Sequence, residues 1–118
     1  MLRYILLLVV ASIVPNAFAG VADDETLTRI VVFCRQLYFD KASNNYVYSV
    51  DNQKIKYLYN ITKKNIYSRY PKADANKLYA QAIAHYVADK PSVGIQKQVS
   101  TCRSLVDTNL NAYAEQKH

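Results

Sequence analysis

Apolar residues recur at steps of three and four along most of this chain, the periodicity of a helix that buries one face. Leu27, Ile30, Cys34 and Leu37 make the first such stripe. Asp23 and Asp24 stand where a cap is needed, so a first helix is expected to run to about Phe39. The stretch KASNNYVY at 41–48 interrupts the pattern. Its Ser and paired Asn favour a turn, and a loop is expected there, with Tyr46-Val47-Tyr48 briefly extended. A second helix is predicted from Ser49 or Asp51 to about Tyr70, burying Ile55, Leu58, Tyr59, Thr62 and Ile66, with Tyr57 and Ile61 widening the stripe. Pro71 disfavours helical geometry at the residue before it and marks the break. A third helix, from Lys72 or Asp74 to Ala88, carries Ala75, Leu78, Ala80, Ala82 and Ala84, small enough for close approach to a neighbour. Lys90-Pro91-Ser92 reads as a turn with Ser92 as a cap. A fourth helix then carries Ile95, Val99, Cys102, Val106 and Tyr113, widened by Leu105 and Leu110, and frays from Glu115 onward.

Only two glycines, Gly20 and Gly94, occur in the chain, too little turn chemistry for a sandwich or barrel. The expected fold is all-α: a compact four-helix bundle in one domain, residues 20–118.

Residues 1–19 have a different character. Arg3 is followed by an eleven-residue apolar run at 4–14, Pro15 and Asn16 close it, and Ala17-Phe18-Ala19 is an A-x-A cleavage site. The run is about half the length that spans a bilayer comfortably, so it reads as a cleavable signal peptide rather than an anchor, with Gly20 as the first mature residue. No Cys follows within reach of the cleavage site, which excludes lipid attachment there. Export to the periplasm is the expectation, or to the extracellular space if the source is eukaryotic.

Export gives the cysteines a meaning. Cys34 and Cys102 are the only two, and one intramolecular pairing is available. Each lies on the apolar stripe of its helix, so a disulfide would pin the first helix to the last inside the core. The chain has no CxxC motif, and the only histidines are His85 and His118. Neither metal nor cofactor is expected.

The formal net charge is +6, and loss of Arg3 with the leader leaves +5. The basic residues are dispersed and the longest cluster is Lys63-Lys64. Export and this dispersion argue against nucleic acid and leave an acidic protein partner or an anionic envelope surface, of which the protein partner is favoured. His85 has alanines and Tyr86 for neighbours and reads as a surface or half-buried residue. Asp51, Asp74 and Asp107 read as cap or loop acids, and no nucleophile has an obvious base, so no enzymatic activity is expected. Asn60-Ile61-Thr62 fits a glycosylation sequon but lies mid-helix.

Ten tyrosines remain after cleavage, seven of them between Tyr38 and Tyr70. Part of this excess suits a core with polar tips, and part suits a contact surface. The polar loop at 40–50 is the favoured contact element. Asn44 and Asn45 are adaptable, and Tyr46 and Tyr48 would share one side of an extended segment; Tyr57 is the further candidate.

The plan of leader, about a hundred mature residues, helices throughout, Val32-Phe33-Cys34 in the first and Cys102 in the last resembles the small exported immunity proteins that protect bacteria from peptidoglycan amidases delivered by type VI secretion. Cys102-Arg103-Ser104-Leu105-Val106-Asp107-Thr108-Asn109-Leu110 is similar to that family's final-helix pattern of Cys, Leu, Ser or Thr, and Leu, with the last Leu one place early. The middle of the chain departs from it in being richer in Tyr and Lys. The resemblance implies stoichiometric inhibition of a cell-wall hydrolase effector by a protruding element, often by a homodimer. Two alternatives stand beside it. A periplasmic chaperone of the acid-stress type fits poorly with nine acids and with cysteines 68 positions apart. A secreted helical ligand-binding protein would need a sizeable apolar cavity.

Overall fold

The computed structural model describes residues 23–88 and 94–116. Four α-helices occupy almost all of this: α1 (Asp24–Phe39), α2 (Ser49–Arg69), α3 (Lys72–Ala88) and α4 (Ile95–Gln116). The leader, Gly20 and the Lys90-Pro91-Ser92 turn lie outside the described residues.

The helices begin and end for local reasons. Asp23 caps α1, its carboxylate accepting the Thr26 N–H at 2.8 Å. Tyr70 leaves helical geometry ahead of Pro71, which stops α2. Gly94 takes a φ of +74°, where a side chain would be strained, and its carbonyl accepts the Gln98 N–H that starts α4. The last helix holds to Gln116, so Glu115 and Gln116, where fraying was expected, are helical.

Paired contacts give the topology. Asp24 at the start of α1 meets Arg69 and Tyr70 at the end of α2, at 2.8 and 2.6 Å. Asp40, just past α1, accepts the hydroxyl of Tyr86 near the end of α3 at 3.4 Å. Lys54 of α2 reaches Asp107 of α4 at 2.9 Å. The helices therefore alternate in direction, up, down, up, down. Helix α1 packs against the other three, whereas α3 and α4 do not approach one another closely, leaving a seam open above α1.

The core is built largely from the predicted stripes. Leu27 and Leu37 meet Ile55, Leu58 and Ile66, with Val99 and Val106 closing from α4, but on α1 the fully buried position is Val31, which the predicted stripe did not include, while Ile30 is only partly buried. Helix α3 seats on α1 through Ala75 and Ala82, both buried, while Ala80 and Ala84 face outward and take no part in the close approach. The disulfide joins Cys34 to Cys102 across a Cα separation of 5.6 Å, within the range a disulfide spans. Closing a loop of this length removes unfolded-chain entropy worth about 4 kcal/mol. A domain of this size has a net stability of only about 5–15 kcal/mol, so the staple is a large share of it.

Candidate binding surface

Between α1 and α2 the chain does not form an open loop. Residues Lys41–Tyr46 wind into a 3-10 segment, started by the Asp40 carboxylate accepting the Ala42 N–H at 3.1 Å. The extended stretch is confined to Val47 and Tyr48. Alternation along a strand therefore does not relate Tyr46 to Tyr48, because Tyr46 ends the 3-10 segment. Ser43 is fully buried beneath this segment, while Asn44 and Asn45 are exposed on it.

What fixes the two tyrosines is Arg103, one residue past the stapled Cys102. Its guanidinium donates to the Asp51 carboxylate from Nε at 3.0 Å and from Nη2 at 2.9 Å, and Nη2 also donates to the Tyr46 carbonyl at 3.0 Å. The same group lies 4.7 Å from the centroid of the Tyr48 ring. Asp51 completes the arrangement by accepting the Tyr48 N–H at 2.9 Å, the side-chain half of a capping box at the start of α2.

The Asp51 carboxyl is almost wholly inaccessible to water. Burial alone would raise its pKa, but the hydrogen bonds from Arg103 and the Tyr48 N–H, with the charges of Arg103 and Lys54, outweigh burial and hold it below the ordinary carboxylate value. Tyr38 lies beneath the pair. Burial, helped by the nearby Asp51 charge, pushes its hydroxyl up to about 12.

This internal clamp presents an aromatic edge to solvent. Tyr48 is 62% exposed and Tyr46 38%, with Val50 beside them at 45%. Tyr57 is also exposed, at 55%, and does not widen the buried stripe of α2 as its position suggested. It lies about 13 Å along the helix from Tyr48 by helical rise, where it lines a groove with Ile61, Leu110 and Tyr113. The five candidate contact residues thus share exposure but form two groups, with Asn44, Asn45, Tyr46 and Tyr48 at the top of the bundle and Tyr57 on its flank.

The other seven tyrosines among the described residues serve the core. Tyr38, Tyr79 and Tyr86 are buried, and Tyr59, Tyr67, Tyr70 and Tyr113 pack partly buried around them. Tyr79 meets Tyr59 edge to face at 5.8 Å and stacks on Tyr67 at 6.0 Å. His85 is exposed and lines the open seam between α3 and α4, alongside Arg29, Phe33 and the disulfide. Of the glycosylation sequon, Asn60 is exposed on α2 while Thr62 is buried, so the tripeptide is held in helical geometry with its hydroxyl residue inside the core. Among the described residues no cluster of His, Cys, Asp and Glu could hold a metal ion, and no helix is long and apolar enough to cross a membrane.

Sequence reasoning missed the Asp51–Arg103 pair. A cation next to a cysteine on a buried stripe was the available signal, since one step along a helix is about 100° and places that cation at the edge of the core.

The chain matches no family model, no curated protein and no solved structure. What the geometry defines is a class: a disulfide-stapled, antiparallel helical bundle with a fixed aromatic edge.

Proposed function

We propose that the chain is an exported, non-catalytic binding protein: an immunity protein that neutralises a peptidoglycan-degrading amidase by occluding its active site. The observation that carries this reading is the Arg103 clamp. Exposed aromatic rings are costly to leave in water, and here the Tyr48 ring rests on the Arg103 guanidinium while the Tyr46 backbone is tied to the same group, which is anchored on the buried Asp51 carboxylate. Immobilising a contact element before binding lowers the entropy lost on association, and aromatic side chains dominate binding hot spots. In this reading Tyr46 and Tyr48 enter the substrate groove of the hydrolase, with Asn44 and Asn45 supplying hydrogen bonds at its rim. The signal peptide expected from the sequence and the resemblance in helical plan support an encounter in the periplasm, where the cell wall lies.

The test has two stages. Mature, oxidised protein is used to capture partners from envelope extracts and from the products of adjacent genes, with mass spectrometry as the readout. Recovery of one cell-wall hydrolase at equal stoichiometry, with loss of its activity, is the expected result. The double variant Tyr46→Ala/Tyr48→Ala should then inhibit that hydrolase at least tenfold less well, with an unchanged helical circular dichroism spectrum. Full inhibition by the double variant would refute the role given to these rings.

A further inference from the structure

A second surface is built for charge. Along the junction of α1 and α2 runs a groove of about 460 Å³, floored by the buried Ile55 and edged by Arg35, Lys56 and Lys63. No carboxylate lines it, and among the described residues none of the three cations forms an ion pair. Arg35 is half-buried between two rings, its guanidinium carbon 4.6 Å from the Tyr59 centroid and 5.2 Å from that of Phe39. A guanidinium held on aromatic faces keeps the edge that carries its N–H donors available, and that planar fork suits a carboxylate.

We propose that this groove binds an acidic segment of the partner protein, with Arg35 as the anchor for one carboxylate and Lys56 and Lys63 for others. The proposal rests on the inhibitor reading for the identity of the partner, and names the chemistry of the surface that meets this face. Three features favour a peptide over other anions. The cations line a concave channel rather than a flat face, which suits a chain better than a bilayer surface. Lys56 and Lys63 are seven residues apart on α2, about 10 Å, a distance an extended chain covers in about three residues. The walls add Phe39, 61% exposed, and the amides of Asn52 and Asn60, which suit the apolar and backbone parts of a peptide.

The probe is fluorescein-labelled hexaglutamate, titrated into mature, oxidised protein at low salt. The triple variant Arg35→Gln/Lys56→Gln/Lys63→Gln should bind it at least tenfold more weakly than the wild type. A control triple, Lys64→Gln/Lys77→Gln/Lys97→Gln, removes the same charge elsewhere and should stay within twofold of the wild type, with all three proteins sharing one circular dichroism spectrum. Equal losses in the two triples would show attraction to net charge and overturn the proposal. So would failure of the wild type to bind hexaglutamate, or binding only to phosphatidylglycerol vesicles. A hydrolase inhibited equally by the wild type and the groove triple overturns the groove and leaves the inhibitor reading intact. Groove-dependent binding of hexaglutamate without any hydrolase partner overturns the inhibitor reading and leaves the groove.

Discussion

Arg103 holds Asp51 in a two-pronged contact, Nε to Oδ1 at 3.0 Å and Nη2 to Oδ2 at 2.9 Å, and thereby joins the last helix to the first turn of α2. With the carboxylate side chain only 2% exposed, removing one partner strands a charge away from water. Arg103→Ala is therefore expected to cost about 3 kcal/mol, read as a lower urea midpoint. The double variant Asp51→Ala/Arg103→Ala should be more stable than the sum of the two single losses allows, because it leaves no orphaned charge. Strict additivity would mean the pair is not coupled.

The same pair sets an acid limit. Asp51 has a folded pKa below its unfolded value, so its contribution is complete above about pH 4, the ordinary carboxylate range, and is lost as pH falls through the folded value. Wild type should lose stability below pH 4 more steeply than Asp51→Asn, which has no proton to take up there. Parallel acid profiles for the two proteins would contradict this.

Alkali acts on the tyrosines with the opposite sign. Burial raises the Tyr38 hydroxyl to about 12, raises Tyr79 further, and with the Asp40 charge raises Tyr86. The fold favours their neutral forms, so stability is full below the unfolded tyrosine pKa of about 10 and declines as pH climbs through the folded values. A pH titration of tyrosinate absorbance should show a late fraction that appears together with loss of helical ellipticity. Ionisation of all tyrosines in one step near pH 10, with the helices intact, would be the contrary result.

The hydroxyls of Tyr38 and Tyr79 are buried without a hydrogen-bond partner among the described residues. An unsatisfied polar atom in a core is a cost, so Tyr79→Phe should be neutral or stabilising by up to about 1 kcal/mol. A loss greater than that, in thermal unfolding, would show that the hydroxyl is satisfied.

Removing the staple should matter most. Cys34→Ala/Cys102→Ala is expected to lower stability by about 4 kcal/mol, measured by chemical unfolding of residues 20–118. The effect should be matched by reduction of the wild type. Loss of Arg103 should compound it non-additively, since residues 102 and 103 anchor the same turn of α4.

The four helices were legible because their apolar stripes, the cap at Asp23 and the break at Pro71 are short-range signals. The cysteine pairing followed from their positions on two such stripes. The 3-10 segment was not legible. Ser43-Asn44-Asn45 marks a turn, yet the winding at Lys41–Tyr46 is accompanied by the burial of Ser43 and by the hold of Arg103 on the Tyr46 carbonyl from more than fifty residues away. Tyr57 was misplaced for a related reason. Aromatic spacing cannot tell the inner flank of a helix from the outer one until the neighbouring helix is in position. The groove around Arg35 combines residues from two helices, and no local window contains it.

The disulfide ties residue 34 to residue 102, and more than half of the chain lies between them. A single proteolytic cut anywhere in that span, in the 3-10 segment or between α3 and α4, leaves the two pieces covalently joined and the core helices still in register. A nicked copy of this protein would remain one molecule.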